Sequence, residues 1–380
     1  MATLTDFNVS PYYDDYADSN NYHRVLFRPS YAVQARELTQ AQTILQNQIE
    51  RFGSNIFKEG AMIVPGQMSI STEYESVKLS AFTGTSSLAN LVGGVFTGGT
   101  SGVTATVVNT SVTDGVDPDT IFVLYTNSGS NNTTTQFSDN ETISATIVIG
   151  GVSTSVTGTV TSTHVGAATK IEAGIFYTRG FFVQNSEQTL ILDKYTNTPS
   201  YRIGLDVAET TNTPTEDGNL NDNAAGSSNE NAPGAHRLKF TLTLTKLALT
   251  ATTDTSFIEL GRVVNGITVA QVRGTAFNVI EDTLARRTFD ESGDYSVRDF
   301  DLDLRESVSS GNNRGIYTAG ATTDENNISS TSMLAGLMSP GKAYVKGYEI
   351  DRIAQAIVDI DKARDFTTVN NNVTQFDLGN

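Results

Sequence analysis

Turn dipeptides set between short β-type runs constrain this chain more than any other feature. Asp114-Gly115, Gly150-Gly151 and Asn265-Gly266 are pairs that suit two-residue hairpins, whose central positions need positive φ. Gly150-Gly151 lies between Thr146-Ile147-Val148-Ile149 and Val152-Ser153-Thr154-Ser155-Val156, and Asn265-Gly266 between Val263-Val264 and Ile267-Thr268-Val269. Ala105–Val108 and Ile121–Tyr125 are further β-type runs, and Leu238, Phe240, Leu242 and Leu244 alternate with polar residues at the period of a strand. Hydrophobic residues are 38% of the chain and charged ones 18%, leaving a large share of Thr, Ser and Asn, the balance of a loop-rich β protein. At 380 residues the chain is too long for one core. The expected fold is mainly β and multidomain, with an N-terminal amphipathic helix, a small inserted β-sandwich-like module and a central β-rich domain carrying one short helix.

Charge and residue inventory remove whole classes of function. With 25 Lys+Arg against 42 Asp+Glu the net charge is −17, which argues against coating nucleic acid. There is no cysteine, and the three histidines, His23, His164 and His236, share no ligand-like spacing, so thiolate chemistry and familiar zinc sites are absent. No apolar run approaches the roughly 20 residues of a membrane span, and the first residues have neither the basic nor the apolar part of a signal peptide. No cofactor, metal or catalytic residue is expected.

Polar runs mark the expected organisation. Residues 1–75 hold an acidic, tyrosine-rich arm and then a helix, with Ser30 as its candidate N-cap. Leu38, Ala41, Leu45, Ile49, Phe52 and Ile56 recur at spacings of 3, 4, 4, 3 and 4, one stripe of a helix that Gly53 would end or kink. Gln34, Gln40, Gln42, Gln46, Asn47 and Gln48 occupy its other faces, so the stripe reads either as an inter-chain seam or as packing within its own domain. Residues 76–168 form the inserted Thr/Gly-rich β module. Residues 169–308 form the central domain, with a polar loop at 210–234 and a short helix at about 275–287 on which Phe277, Ile280 and Leu284 share a face. Residues 309–380 comprise a loop and a returning hairpin.

That hairpin is foreshadowed earlier in the chain. Gly174–Val183 and Gln188–Lys194 read as two strands joined by a polar turn. Tyr177, Arg179, Gly180, Phe181, Val183, Gln188 and Leu190 each precede a similar or identical residue by 167 positions, namely Tyr344, Lys346, Gly347, Tyr348, Ile350, Gln355 and Ile357. The match slips by one residue at the following Asp-Lys pair, which implies a duplicated hairpin rather than a duplicated domain.

Three motifs imitate chemistry. Gly336 to Lys342 has the glycine and lysine spacing of a phosphate loop, but Ala343 stands where a magnesium ligand belongs and Pro340 removes a backbone donor. Asp299, Asp301 and Asp303 alternate with Phe300, Leu302 and Leu304, as on a half-buried strand. Asp114, Asp117 and Asp119 share a turn without the spacing of a calcium loop.

Four stretches carry a family resemblance: RPSYAVQARELTQ (Arg28–Gln40) leading into ILQNQIERFG (Ile44–Gly53), YTNTPSYRIGL (Tyr195–Leu205), and LARRTFDESGDY (Leu284–Tyr295). They resemble virion structural proteins of tailed bacteriophages, particularly the contractile-tailed, T-even-like cyanophage group. The resemblance implies a non-enzymatic tail component at the baseplate or the base of a tail fibre, made in the bacterial host cytoplasm and carried in the virion. Its implied partners are other tail and baseplate proteins and further copies of itself, as a homotrimer. A receptor-binding fibre module that recognises host surface glycan through residues 76–168 is the alternative. The family continues beyond the point where this chain stops, so Phe376-Asp377-Leu378-Gly379-Asn380 is expected to be an interrupted β pattern of a longer protein.

Overall fold

The computed structural model describes residues 3–85, 87–129, 131–272, 274–275, 279–325 and 327–362. Phe277 and the pattern at 376–380 lie outside the described residues. Strand makes up 45% of the chain and helix 13%, the mainly β, multidomain class read from the sequence. Two compact units divide at Leu284/Ala285. This is earlier than the boundary expected at 309, because segments near Tyr295 and Leu302 pair with strands further along the chain.

The first unit runs α1 (Ala35–Ile56), β1 (Met62–Val64), β2 (Met68–Thr83), β3 (Val95–Gly98), β4 (Thr104–Ser111), β5 (Thr120–Asn127), β6 (Thr142–Ile149), β7 (Val152–Ile171), β8 (Gly174–Thr178), β9 (Phe181–Asn185), β10 (Gln188–Asp193), β11 (Tyr201–Asn212), β12 (Arg237–Ala248), β13 (Phe257–Val264) and β14 (Ile267–Gln271). Helix α2 (Val279–Ser292) crosses the division. The second unit continues with β15 (Tyr295–Arg298), β16 (Leu302–Glu306), β17 (Met333–Met338), β18 (Gly341–Val345), β19 (Tyr348–Arg352) and β20 (Ala356–Asp361).

The inserted module is all β, and its hydrogen-bond ladder closes. The antiparallel order β7-β2-β5-β4-β3-β6 returns to β7, so the facing layers of the sandwich-like core are walls of one small barrel. Alternation directs Val77, Leu79, Phe96, Val107, Ile121, Ile143, Val156 and Val160 inward, while most Thr and Ser positions between them face outward, Ser76 and Thr120 being buried exceptions. Closure removes the exposed edges of a Thr-rich sheet. The hairpin at Gly150-Gly151 forms as expected, with φ of 59° and 84°. Asp114-Gly115 does not make a two-residue hairpin, since β4 ends at Ser111 and β5 begins at Thr120. Asp114 Oδ1 instead accepts from the amides of Val116 and Asp117, which holds a wider loop open.

A second core lies where β2 and β7 leave the barrel. Met62, Ile171, Phe176, Val183 and Leu192 meet Ile203, Leu205 and Val207 of β11 and Leu242 and Leu244 of β12. Gly174–Val183 is not one strand: the chain reverses at Arg179-Gly180 (φ 50° and 80°), so β8 and β9 are already a hairpin. One side of that hairpin, with Phe176 and Val183, faces the β12-β11-β13-β14 sheet. The other side, with Tyr177 and Phe182, packs against Phe57 and α1. The hairpin is thus the middle layer of three.

The repeat extends well beyond a hairpin. In the first unit β1-β8-β9 form one three-stranded set and β2-β7-β10 are neighbours in another; in the second unit β15-β18-β19 and β16-β17-β20 are connected in the same order after a helix. Registers agree as well, Gly174 pairing with Asn185 and Gly341 with Arg352, each partner displaced by 167 positions. Lys346-Gly347 repeats the left-handed turn of Arg179-Gly180, with φ of 51° and 78°. The chain is therefore an internal duplication of a whole helix-and-six-strand unit, contrary to the hairpin-only reading. The barrel strands β3–β6 occupy the point between β2 and β7 where the second unit has residues 307–332 between β16 and β17. That insertion, together with divergence, hid the duplication from a fixed-offset comparison.

Asp299, Asp301 and Asp303 do not share a half-buried strand: residues 299–301 lie between β15 and β16, and only Asp303 is in β16. Leu302 and Leu304 are 60% and 53% exposed, because β16 pairs only with β17 at the edge of a three-stranded sheet. Gly336 to Ala343 runs from β17 into β18, so no helix follows the phosphate-loop imitation.

Candidate assembly interface

Helix α1 begins later than Ser30. Its first turn is capped by Glu37, whose carboxylate accepts from the Gln34 amide at 2.9 Å, while Ser30 sits at φ 71° outside the helix. Gly53 does not end it, since the helix continues to Ile56. It is buried against Tyr177, and a Cβ there would lie 2.5 Å from the ring.

The side of α1 that packs on its own unit is largely polar. Ile44 and Asn47 are buried, Gln46 donates to the Gly180 carbonyl at 2.7 Å, and the Tyr177 hydroxyl donates to the Glu50 carbonyl at 3.0 Å. The acidic arm lies along the same helix, with Asp14 accepting from the Thr43 hydroxyl, Asp15 paired with Arg36 at 2.8 Å and Asp18 with Arg51 at 2.5 Å. These two ion pairs are about half exposed and add little stability. The Tyr16 hydroxyl, which donates to Asp18, and Arg51 hold the Asp18 carboxyl below the usual carboxylate range.

The apolar stripe points the other way. At 100° per residue Leu38, Leu45, Ile49, Phe52 and Ile56 fall within a narrow sector, roughly opposite Thr43, Asn47 and Glu50. Leu38 is 52% exposed, Leu45 65%, Ile49 44% and Phe52 69%, with Ala41 and Ile56 half-buried at the margins. Four of the six sequence-derived residues are thus exposed on one side of the helix, with Ala41 and Ile56 half-buried on the same side. Sequence reasoning missed the buried polar anchors, Glu209 and Glu141, which no local motif announces.

The other candidates resolve into structural roles. Lys194 Nζ sits 3.0 Å from both Asp114 and Asp117, filling the acidic turn with an internal cation. Asp119 accepts from the Thr113 amide. His164 bonds Ser162 and His236 bonds Tyr12, with His23 exposed elsewhere. Among the described residues no group of three or more His, Cys, Asp or Glu could hold a metal ion. Among those of the barrel, Phe96, Phe122 and Phe137 are buried and Phe82 and Tyr125 pack against its core, so no aromatic platform for a sugar ring faces outward. No described helix is long and apolar enough to cross a membrane.

Fold and surface together define a multidomain β-rich protein with a duplicated core unit, an inserted barrel and an outward apolar helix seam. No curated protein and no solved structure matches the chain. The model of a domain of unknown function, DUF4815, matches residues 10–122 and 131–379, and the chain belongs to that family.

Proposed function

We propose that the protein is a structural, non-enzymatic component of a phage tail, a homotrimeric adaptor joining the baseplate to tail fibres in the virion. The observation that carries this reading is the orientation of α1: its polar side faces its own unit while Leu38, Leu45, Ile49 and Phe52 face outward. Fully burying an exposed side chain of this kind is worth about 1.5–3 kcal/mol, and these four are roughly half exposed, so covering them contributes about half that value each and favours association. The uncharged Gln42 and Gln48 beside the stripe suit a neighbouring helix, and the phage resemblance of Arg28–Gly53 falls on this same element. A glycan-binding role for the barrel is the weaker reading, since its aromatic rings are taken up by its core.

Light scattering on the full chain and on a Leu45→Glu/Ile49→Glu variant tests the proposal. The wild type is expected at three times the chain mass and the variant at one. An unchanged mass in the variant removes α1 as the assembly element.

A further inference from the structure

The duplication supplies a template for what covers the second hairpin. In the first unit one side of the β8–β9 hairpin lies under β11 and β12: Thr178 is 1% and Val183 8% exposed, and Phe181 packs on Phe240 at a ring distance of 4.7 Å. Strand β11 also reaches the turn of the hairpin, where Glu209 pairs with Arg179 at 3.0 Å, both side chains nearly buried. At the other end Gln188 bridges to the cover, its amide donating to the Leu242 carbonyl and accepting from the Leu244 amide at 2.9 Å each.

The counterparts of Thr178, Arg179, Val183 and Gln188, displaced by 167 positions, are Val345, Lys346, Ile350 and Gln355. Val345 is 41% and Ile350 42% exposed, and Lys346 and Gln355 are exposed as well. Lys346 forms no ion pair among the described residues. Arg352, the counterpart of Asn185, shares the face of Ile350, and among the described residues its Nε is buried without a hydrogen-bond partner. This face therefore calls for an acid at its turn, apolar groups in its middle and an acceptor at the Arg352 end.

The sequence that follows β20 has those groups in that order. After the one-residue slip at Asp193-Lys194 and Asp361-Lys362 the offset is 168, so β11 at 201–212 corresponds to 369–380. Leu205 then matches Val373, Val207 matches Gln375 and Glu209 matches Asp377. The acid that pairs with Arg179 thus has an acidic counterpart, as Arg179 has a basic one in Lys346. Leu205 and Val207 pair with Leu244 and Leu242, to which Gln188 and through it Asn185 are bonded, so Val373 and Gln375 match the Arg352 end.

We propose that residues 369–380 cover the Val345/Ile350 face of β18 and β19 as β11 covers β8 and β9, with Val373 over the apolar side chains, the Gln375 amide oxygen accepting from Arg352 and Asp377 paired with Lys346. The second unit is then completed by its own chain, and the inference stands or falls apart from the adaptor reading. It is tested on the full chain, which has no cysteine of its own. Lys346→Cys/Asp377→Cys, treated with a short bismaleimide, is expected to link within one chain, the denatured mass staying that of a single chain and the two peptides joined on digestion. Val373→Glu is expected to speed hydrogen exchange of the β18–β19 amides about tenfold while those of β8–β9 keep their wild-type rates and report an intact first unit. Asp377→Lys should speed the same amides, and adding Lys346→Asp should restore their protection, which loss of folding would not allow. Links formed only between chains would assign the face to another copy. That result, the absence of any link, or β18–β19 exchange unchanged in Val373→Glu overturns the inference.

Discussion

Glu141 shows how much a single side chain can organise from inside the barrel. Its carboxylate is 3% exposed and accepts from the amides of Thr100 at 3.0 Å, Ser101 at 2.9 Å and Ser138 at 2.6 Å, and from the Ser101 hydroxyl at 2.8 Å. Burial alone would raise its pKa, but these donors outweigh burial and hold it below the ordinary glutamate value. A folded-state pKa below the unfolded one means that the stabilisation is fully present above the unfolded value, about 4.3, and is lost as pH falls through the folded value. We therefore expect Glu141→Gln to cost about 1–3 kcal/mol at pH 7 and to lose part of the wild type's destabilisation between pH 5 and pH 3, read by urea unfolding across that range. Parallel acid limbs in the two proteins would rule out the charged form as the stabilising species. Only the Ser138 contact is local to Ser138-Asp139-Asn140-Glu141; the rest was not legible there, because the partners at 100 and 101 lie some forty residues away. Gly53 was misread for the same reason: its spacing announces a helix end, and only Tyr177, supplied by β8, explains why no side chain fits there.

Elements with local signals were read well, and those defined by distant partners were not. The Gly150-Gly151 and Asn265-Gly266 turns and the alternation in β12 carry their own geometry, so they appear where the sequence places them. Periodicity placed the α1 stripe on one face, yet it could not say which way that face turns; the side chains that decide it, Tyr177 and the Asp14–Asp18 arm, belong to other segments. The arm itself is fastened by Glu209, a residue with no local mark. Glu209 accepts from the Leu4 and Thr5 amides at 3.0 Å each and pairs with Arg179 at 3.0 Å, both side chains nearly buried. Burial would raise its pKa, but Thr5, Leu4 and Arg179 together hold it low. Replacing it by glutamine keeps the size and removes the charge that two amides and a guanidinium require. Glu209→Gln is expected to cost about 1–3 kcal/mol and to speed exchange at the Leu4 and Thr5 amides before any change in the barrel. If those amides exchange at the wild-type rate, the carboxylate is not what holds the arm.

The whole molecule pairs two copies of one architecture that are very unequally supplied with core. The first unit owns two clusters of buried side chains, one in the barrel and one between the β8–β9 hairpin and the β11–β14 sheet, whereas the second has the same strand order with few buried apolar groups. Similar sequences at the repeated hairpin thus meet different surroundings, which is why a comparison of residues found the hairpin and overlooked the duplicated domain. Stability should follow core supply, since hydrophobic burial is the main term offsetting chain entropy. Thermal unfolding is accordingly expected in two steps, the lower one belonging to residues 285–362 and the upper one to the barrel and the second core. With the second unit completed by its own chain, the lower midpoint is expected to ignore protein concentration; were copies to complete it instead, mass action would raise that midpoint. For three chains dissociating as they unfold, each tenfold rise adds two-thirds of about 1.4 kcal/mol per chain, about 0.9 kcal/mol. For a unit of this size that is a shift of about 4–7 °C per decade of concentration, well within reach of calorimetry. A lower midpoint that climbs in this way would mean that other copies complete the second unit, and a single transition would mean that the two units unfold as one body despite their separate strand sets.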